Sequence, residues 1–419
     1  MNHKPYQGVR SRFLREDERL IVSKEQEMPL VIEAEDHRDP AFLQQFLADN
    51  SSQLISDLAR YGAVLLRGFA IKTDEDFEKT VLSIPEFKGI SEAFMAENGR
   101  VHVGDLKYVL HTNAVYKTGG TIYLGGFHTE NYYSADVPAY ICFCCLEPST
   151  LGGETGLINT EKVYRSLSAS LQEKLEKNPY FVGKWLLSEV ARRYQISENH
   201  VKKICEQFKF PIIGEGEDQL ILMYKPSVFE HPFNQKKALQ INLFELPTLN
   251  KELRKRFMDD YPGKTWYWHR FFWKLPLSIF NAIEHTAVAI IAFFHSPKHS
   301  LKILKNKWKT YRASKFNKEQ MTNTQRVGDC FSDAEVKDLA RVMREQYCSC
   351  IWQKGDILLV DNRKVMHAGM PGIGPRIIRA MICNPIQMDY TDAAPGCLVA
   401  EDRVTDTVGA HIVGTTSRL

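Results

Sequence analysis

Gly355 to Met381 reads GDILLVDNRKVMHAGMPGIGPRIIRAM. Gly355–Asp361 is an apolar, β-rich run closed by a polar turn, as expected of a buried strand, and Arg376–Asn384 (RIIRAMICN) predicts a second. Between them stand His367 and a loop of Gly and Pro. That order, strand, turn, histidine, loop and strand, suits short strands folding back on one another. Further short strands are predicted at Tyr61–Phe69 (YGAVLLRGF), Thr121–Leu124, Ala139–Leu146, Gly156–Asn159, Gln219–Tyr224 and Ala238–Leu246, punctuated by Gly, Pro and Asp. Many short strands in series favour an antiparallel sandwich or barrel. Helices are predicted over Phe42–Arg60, over the run after Asn159 and Thr160, whose oxygens can cap it, and over Ser332–Glu345, where Ser332 and Glu335 form a capping-box pattern.

The chain has 419 residues, 44% hydrophobic and 25% charged, the composition of a globular protein with a real core. Its 54 Lys and Arg against 51 Asp and Glu leave a net charge of +3, too weak to make nucleic acid the expected partner. A small molecule is the better expectation. Nine Cys, three of them crowded at Cys142, Cys144 and Cys145, read as core thiols in a reducing compartment rather than as disulfides. The opening MNHKPYQGVRSRFLREDERL lacks an apolar run, so a cytoplasmic location is expected.

Asn250–Thr322 is aromatic-rich, Lys-rich and helical in pattern, unlike its flanks, and reads as an inserted lid or partner-binding segment. Within it, Leu275–Phe294 (LPLSIFNAIEHTAVAIIAFF) is long enough to cross a bilayer, but Asn281, Glu284 and His285 near its middle make a span costly. A buried or lid helix is expected there. Contact with a membrane surface is the alternative, because WYWHRFFWK precedes the stretch and LKILKNKWK follows it.

The chemistry begins at Phe127–Tyr133, FHTENYY. On an extended strand residues i and i+2 share a face, so His128 and Glu130 can converge on one point. With His367 they make two imidazoles and a carboxylate, the set that holds non-haem Fe(II) on one face and leaves three sites open for a bidentate 2-oxoacid and dioxygen. A guanidinium would grip the second carboxylate of such a cosubstrate with two parallel hydrogen bonds. Arg376 and Arg379 are the candidates, and their odd offset aims them to opposite faces, so one of the two is expected to reach the site. Thr155, after the glycine turn of LGGETG, offers a hydroxyl to the same carboxylate. Asn362 and Arg363 stand where they could orient His367. His111, His231, His285 and His295 have no partner at metal spacing and read as surface or core residues.

An ordered series of segments, MPLVIEA from Met28, YGAVLLRGF from Tyr61, FHTENYY from Phe127, EPSTLGGETGLIN from Glu147, FNQ from Phe233, WQKGDILLVDN from Trp352 and HAGMPGIGPRIIRAM from His367, resembles the Fe(II)- and 2-oxoglutarate-dependent oxygenases of the taurine dioxygenase (TauD/TfdA) superfamily, in its clavaminate-synthase-like and SyrP-type branch. The resemblance runs from about residue 29 to 385 within one oxygenase domain over 1–419, interrupted by the segment 250–322. It implies a mostly β core, a double-stranded β-helix or cupin-like jelly roll flanked by helices, with Fe(2+), 2-oxoglutarate and O2. By the same resemblance His128, Glu130 and His367 look like the metal ligands, and Arg376 and Thr155 like the grip on 2-oxoglutarate. Asn131, Tyr132, Asn234 and Gln235 look like substrate-side residues. SyrP-type relatives carry two adjacent arginines where this chain has Pro375 and Arg376. The implied reaction couples decarboxylation of 2-oxoglutarate with hydroxylation or desaturation of an unactivated C–H bond in an amino acid or amino-acid-derived metabolite, free or tethered to a carrier protein. Glu130 itself argues against halogenation, because related halogenases replace that carboxylate with a small residue. The competing readings are a binding protein on a degenerate oxygenase fold and a cupin-like enzyme using another metal.

Overall fold

In the computed structural model the structure describes residues 5–89, 102–112, 120–121, 124–130, 136–177, 179–194, 197–207, 210–243, 246–276, 278–280, 282–283, 286, 290, 293–294, 297–389 and 396–397. Alternation along the strands sets the layers. A large mixed sheet runs β1 (Val9–Phe13), β2 (Leu30–Ala34), β3 (Ala63–Arg67), β9 (Ile357–Asp361), β4 (Asp136–Glu147) and β11 (Ile377–Asp389), with β2 parallel to β3 and the other pairs in that series antiparallel. A smaller antiparallel sheet places β5 (Thr155–Asn159) between β8 (Tyr347–Cys350) and β10 (Val365–Gly369). A hairpin of β6 (Val228–Glu230) and β7 (Lys237–Leu239) packs against the helix that follows β5.

The two sheets share an apolar layer: Val31, Leu65, Phe143 and Leu358 come from the large sheet, and Leu157, Cys348 and Val365 from the small one. The outer face of the large sheet is covered by α1 (Pro40–Asp49) and α2 (Ser51–Tyr61), through Leu43, Leu47, Leu54 and Leu58. The outer face of the small sheet packs on α3 (Thr160–Arg165), α4 (Pro247–Phe257) and α7 (Asp333–Glu345). Cys142 and Cys144 face the helical side of the large sheet while Cys145 faces the shared layer, and all three are free thiols.

Sequence patterns locate most elements and misplace several boundaries. The helix expected over Phe42–Arg60 is two helices broken at Asn50, whose side-chain amide bonds the Phe46 carbonyl. The run after Asn159 is likewise two helices, each with its own cap, Asn159 and then Ser168. The capping box at Ser332 forms as expected, with reciprocal bonds between Ser332 and Glu335. Strand pairing expected over Ala238–Leu246 stops at Leu239.

The largest correction concerns the segment 250–322. Its first helix, α4, is core: Leu249, Leu253 and Phe257 are fully buried, and the Asn250 side chain accepts a hydrogen bond from Gly126 N–H at 2.9 Å. The exposed portion begins after Tyr261 with α5 (Tyr267–Lys274) and continues through α6 (Pro297–Phe316). At the described positions between these two the chain is helical; Phe280 is buried while Ile279, Ile283, Ile290, Phe293 and Phe294 are exposed, so of the buried or lid helix expected there the buried form is not what is seen. Among the described residues no helix is long and apolar enough to cross a membrane.

Candidate metal and cosubstrate site

On β10, Met366 and Ala368 face the outer helical layer, which turns His367 inward, where its ring meets the edge of Phe143 at 5.2 Å. His128 lies on a short extended segment that pairs with β10: His128 N–H donates to His367 O at 3.1 Å, and His367 N–H donates to His128 O at 2.9 Å. This exchange puts the two imidazoles directly opposite each other, with ring centres 4.5 Å apart. Glu130, two residues on, brings a carboxylate oxygen to 3.7 Å from His367 Nε2. One ligand atom from each of His128, Glu130 and His367 lies within 4.8 Å of the others, and His367 and Glu130 are buried.

Backbone geometry prepares each side chain. The chain reaches His128 through Gly125 and Gly126, both at positive φ, and a Cβ on Gly125 would come within 2.3 Å of the Asn250 amide oxygen. His128 Nδ1 sits 2.9 Å from Gly126 O. A carbonyl only accepts, so Nδ1 carries the proton and the ring's lone pair is on Nε2, the tautomer a metal ligand needs. His367 Nδ1 is buried with no hydrogen-bond partner. Two imidazoles and one carboxylate at this spacing are a donor set that fits Fe(II).

Asn362 was expected to orient His367. It grips Glu130 instead: its oxygen accepts Glu130 N–H at 2.7 Å, and its amide donates to Pro138 O at 2.8 Å and to Glu130 O at 3.4 Å. The carboxylate-bearing residue is thereby pinned between the two sheets. Arg363 pairs with Asp361, and Asp361 also binds His231 at 2.8 Å, all three buried. His231 is a core residue that ties the β6–β7 hairpin to the turn before β10.

The two arginines separate as their offset requires. Arg379 faces away from the shared layer, pairs with Asp74 at 2.6 Å and bonds His111 Nδ1 at 3.0 Å. Arg376 lies beside β10: its Nη1 donates to Gly153 O, and a Cβ added to Gly369 would lie 3.3 Å from its Nη2. Gly369 shares the His367 face of β10 and stands in register opposite Thr155. Thr155, Arg376 and His367 therefore border one space. The turn that delivers Thr155 needs Gly152 and Gly153, both at positive φ, and a Cβ on Gly153 would strike Ser149 Oγ at 2.2 Å.

The other substrate-side expectations fare differently. Asn131 and Tyr132 lie outside the described residues. Asn234 is spent on the hairpin turn, donating to Ala59 O and to a Glu161 oxygen, and Gln235 is exposed with φ 55°. The matching FNQ letters reflect a turn. Sequence reasoning passed over two neighbours. Val228, Leu239, Ile241 and Leu243 face the outer layer with Phe127, and Leu243 N–H donates to Phe127 O. Ser227 and Gln240 alternate with these residues and so turn away from the outer layer. Both are buried, and neither the Ser227 hydroxyl nor either Gln240 amide atom has a hydrogen-bond partner.

Glu154 was also missed. It is fully buried between the glycine turn and Thr155, and neither carboxylate oxygen closes a hydrogen bond; the hydroxyls of Tyr261, Tyr347 and Ser349 are likewise buried and unpartnered. Burial pushes its carboxyl up to about 7, against the smaller opposing pull of the Arg376 charge. The folded protein thus holds a proton here that the unfolded chain has lost. The associated stability is complete below the ordinary carboxylate range and disappears as pH rises through about 7. Glu154→Gln should leave thermal stability unchanged near pH 4 and raise it above pH 8 by roughly 3 kcal/mol, read from melting across pH. An unchanged pH–stability profile would show that Glu154 does not titrate in this way.

Comparisons with known proteins identify the family. The family model for taurine catabolism dioxygenase TauD, TfdA family, matches residues 25–381. A clavaminate synthase-like protein of Arabidopsis thaliana is 23% identical over 363 residues, covering 82% of this chain and 88% of its own length. The dapdiamide synthesis protein DdaC of Enterobacter agglomerans is 19% identical over 337 residues, covering 78% and 84%. Among solved structures, a putative alpha-ketoglutarate-dependent taurine dioxygenase from Burkholderia xenovorans aligns with a TM-score of 0.46 at 12% identity, covering 94% of this chain and 98% of that one. The chain belongs to the TauD/TfdA family and is a 2-oxoglutarate-dependent oxygenase that uses Fe(2+), 2-oxoglutarate and O2.

Proposed function

We propose that His128, Glu130 and His367 hold the iron, and that Arg376 and Thr155 hold the distal carboxylate of 2-oxoglutarate. The observation that carries this reading is the convergence of the three ligand atoms within 4.8 Å, on a segment paired with the strand that borders Arg376. The architecture is a double-stranded β-helix, supported by two sheets that share one apolar layer. The iron and its cosubstrate supply an oxidant able to break an unactivated C–H bond. The chain's residues fix the geometry: the His128–His367 strand exchange aligns the imidazoles, Asn362 holds Glu130, and Phe143 shields one edge of His367.

The substrate is an amino acid or an amino-acid-derived metabolite that the enzyme hydroxylates or desaturates. Support comes from the relative named for dapdiamide synthesis and from the buried Ser227 hydroxyl and Gln240 amide, which suit a polar group on a small molecule. Glu130 completes the protein ligand set and favours these outcomes over halogenation. Anaerobic addition of Fe(II) and 2-oxoglutarate should give a weak visible charge-transfer band. Admission of air with a metabolite extract should then yield succinate and, by mass spectrometry, one metabolite that has gained an oxygen atom or lost two hydrogens. Absence of both the band and succinate would overturn the reading.

A further inference from the structure

The segment from Tyr261 to Lys318 is charged unlike the rest of the chain. It holds eleven of the 54 Lys and Arg but only one of the 51 Asp and Glu, Glu284, which leaves 43 basic against 50 acidic residues elsewhere. It is also where apolar surface is exposed. Thirteen of the eighteen exposed large apolar side chains of the described residues lie between Tyr267 and Phe316. A strongly cationic segment on an otherwise acidic protein, carrying most of its exposed aromatic and aliphatic surface, needs a partner that is both anionic and apolar.

Helix α6 shows how the surface is built. Asn306, Ala313 and Asn317 follow helical spacing on the side that meets the body: Asn306 donates to Glu189, Asn317 donates to Asp218 O, and Ala313 is fully buried. Leu301, Leu304, Trp308 and Tyr311 follow the same spacing on the opposite side, and each is more than half exposed. Lys305, Lys307, Lys309 and Lys315 surround this second stripe in the sequence. Helix α5 repeats the pattern. Trp273 packs inward on Tyr261, while Tyr267, Trp268 and Phe271 are exposed. Tryptophan and tyrosine beside lysine and arginine are the side chains that settle at a bilayer interface, rings among the lipid glycerols and ammonium groups at the phosphates.

We propose that α5, α6 and the exposed Ile279, Ile283, Ile290, Phe293 and Phe294 between them form a membrane-docking face that lies on an anionic lipid surface without crossing it. No described helix is long and apolar enough to span, and the body-facing stripe of α6 is already occupied, so the outward stripe is the part left to enter lipid. Attraction of the lysines to anionic headgroups brings the face to the bilayer, and burial of Trp268, Leu304 and Trp308 holds it there.

Flotation of the full chain with vesicles tests this. The protein should float with phosphatidylcholine vesicles containing about a quarter phosphatidylglycerol, much less with phosphatidylcholine alone, and progressively less as salt is raised. The double variant Leu304→Glu/Trp308→Glu and the separate variant Trp268→Glu should each lower binding about tenfold or more while melting normally, since these positions are exposed. No flotation with the anionic vesicles overturns the proposal, as does flotation that these variants do not change. Self-association of the wild type that the same variants abolish would also overturn it, by assigning the face to a second copy of the chain.

Discussion

His367→Ala is expected to abolish the anaerobic Fe(II)–2-oxoglutarate band and to weaken iron binding by more than about a hundredfold, since loss of mere outer supports of a metal ligand already costs up to that much. The substitution removes an imidazole that supplies one of the three ligand atoms, yet it leaves the strand intact. The His128–His367 exchange runs through backbone groups, and Ala368 already sits in the same strand. The variant should therefore fold, and loss of the band can be read as loss of a ligand. His111→Ala is the matching control. His111 bonds Arg379 on the far side of the large sheet, so its removal should leave the band in place. Retention of the band in His367→Ala, or its loss in His111→Ala, would move the metal centre elsewhere.

How much of this was legible in sequence follows from which interactions are local. The stretch Gly355–Met381 could be parsed because alternation and glycine breaks are properties of neighbours, and the His128–Glu130 pair because i and i+2 share a strand face. The Ser332 cap forms as its four letters imply. What failed was decided across the fold. Asn362 stands five residues before His367, yet its partner is Glu130, 232 residues away. Asn234 and Gln235 match a letter pattern whose purpose is a turn. Asn250 looks like the start of an insertion in sequence, but its amide oxygen caps the turn that carries His128. Glu154 gives no signal at all: a carboxylate after two glycines reads as surface, and only packing reveals that Tyr261 and Tyr347 enclose it.

Arg376 offers the sharpest separation between binding the metal and binding the cosubstrate. Arg376→Leu is expected to raise the 2-oxoglutarate dissociation constant about a hundredfold, equivalent to about 3 kcal/mol, because a buried charge-assisted pair loses one partner. Iron affinity should stay near wild type, since Arg376 supplies none of the three ligand atoms. Arg376→Lys keeps the charge but not the planar fork, so its affinity should fall between the two. Burial already lowers the Arg376 pKa, opposed by the nearby Cys145 and Glu154, so an anionic ligand is favoured at this otherwise poorly compensated cation. Arg379→Leu should do the reverse. It breaks the ion pair with Asp74 and lowers the melting temperature, while the 2-oxoglutarate titration of the visible band stays where it was. Should the Arg379 variant shift that titration and the Arg376 variant not, the carboxylate grip would belong to the other face of β11, and the space bordered by Thr155 and Gly369 would need a different occupant.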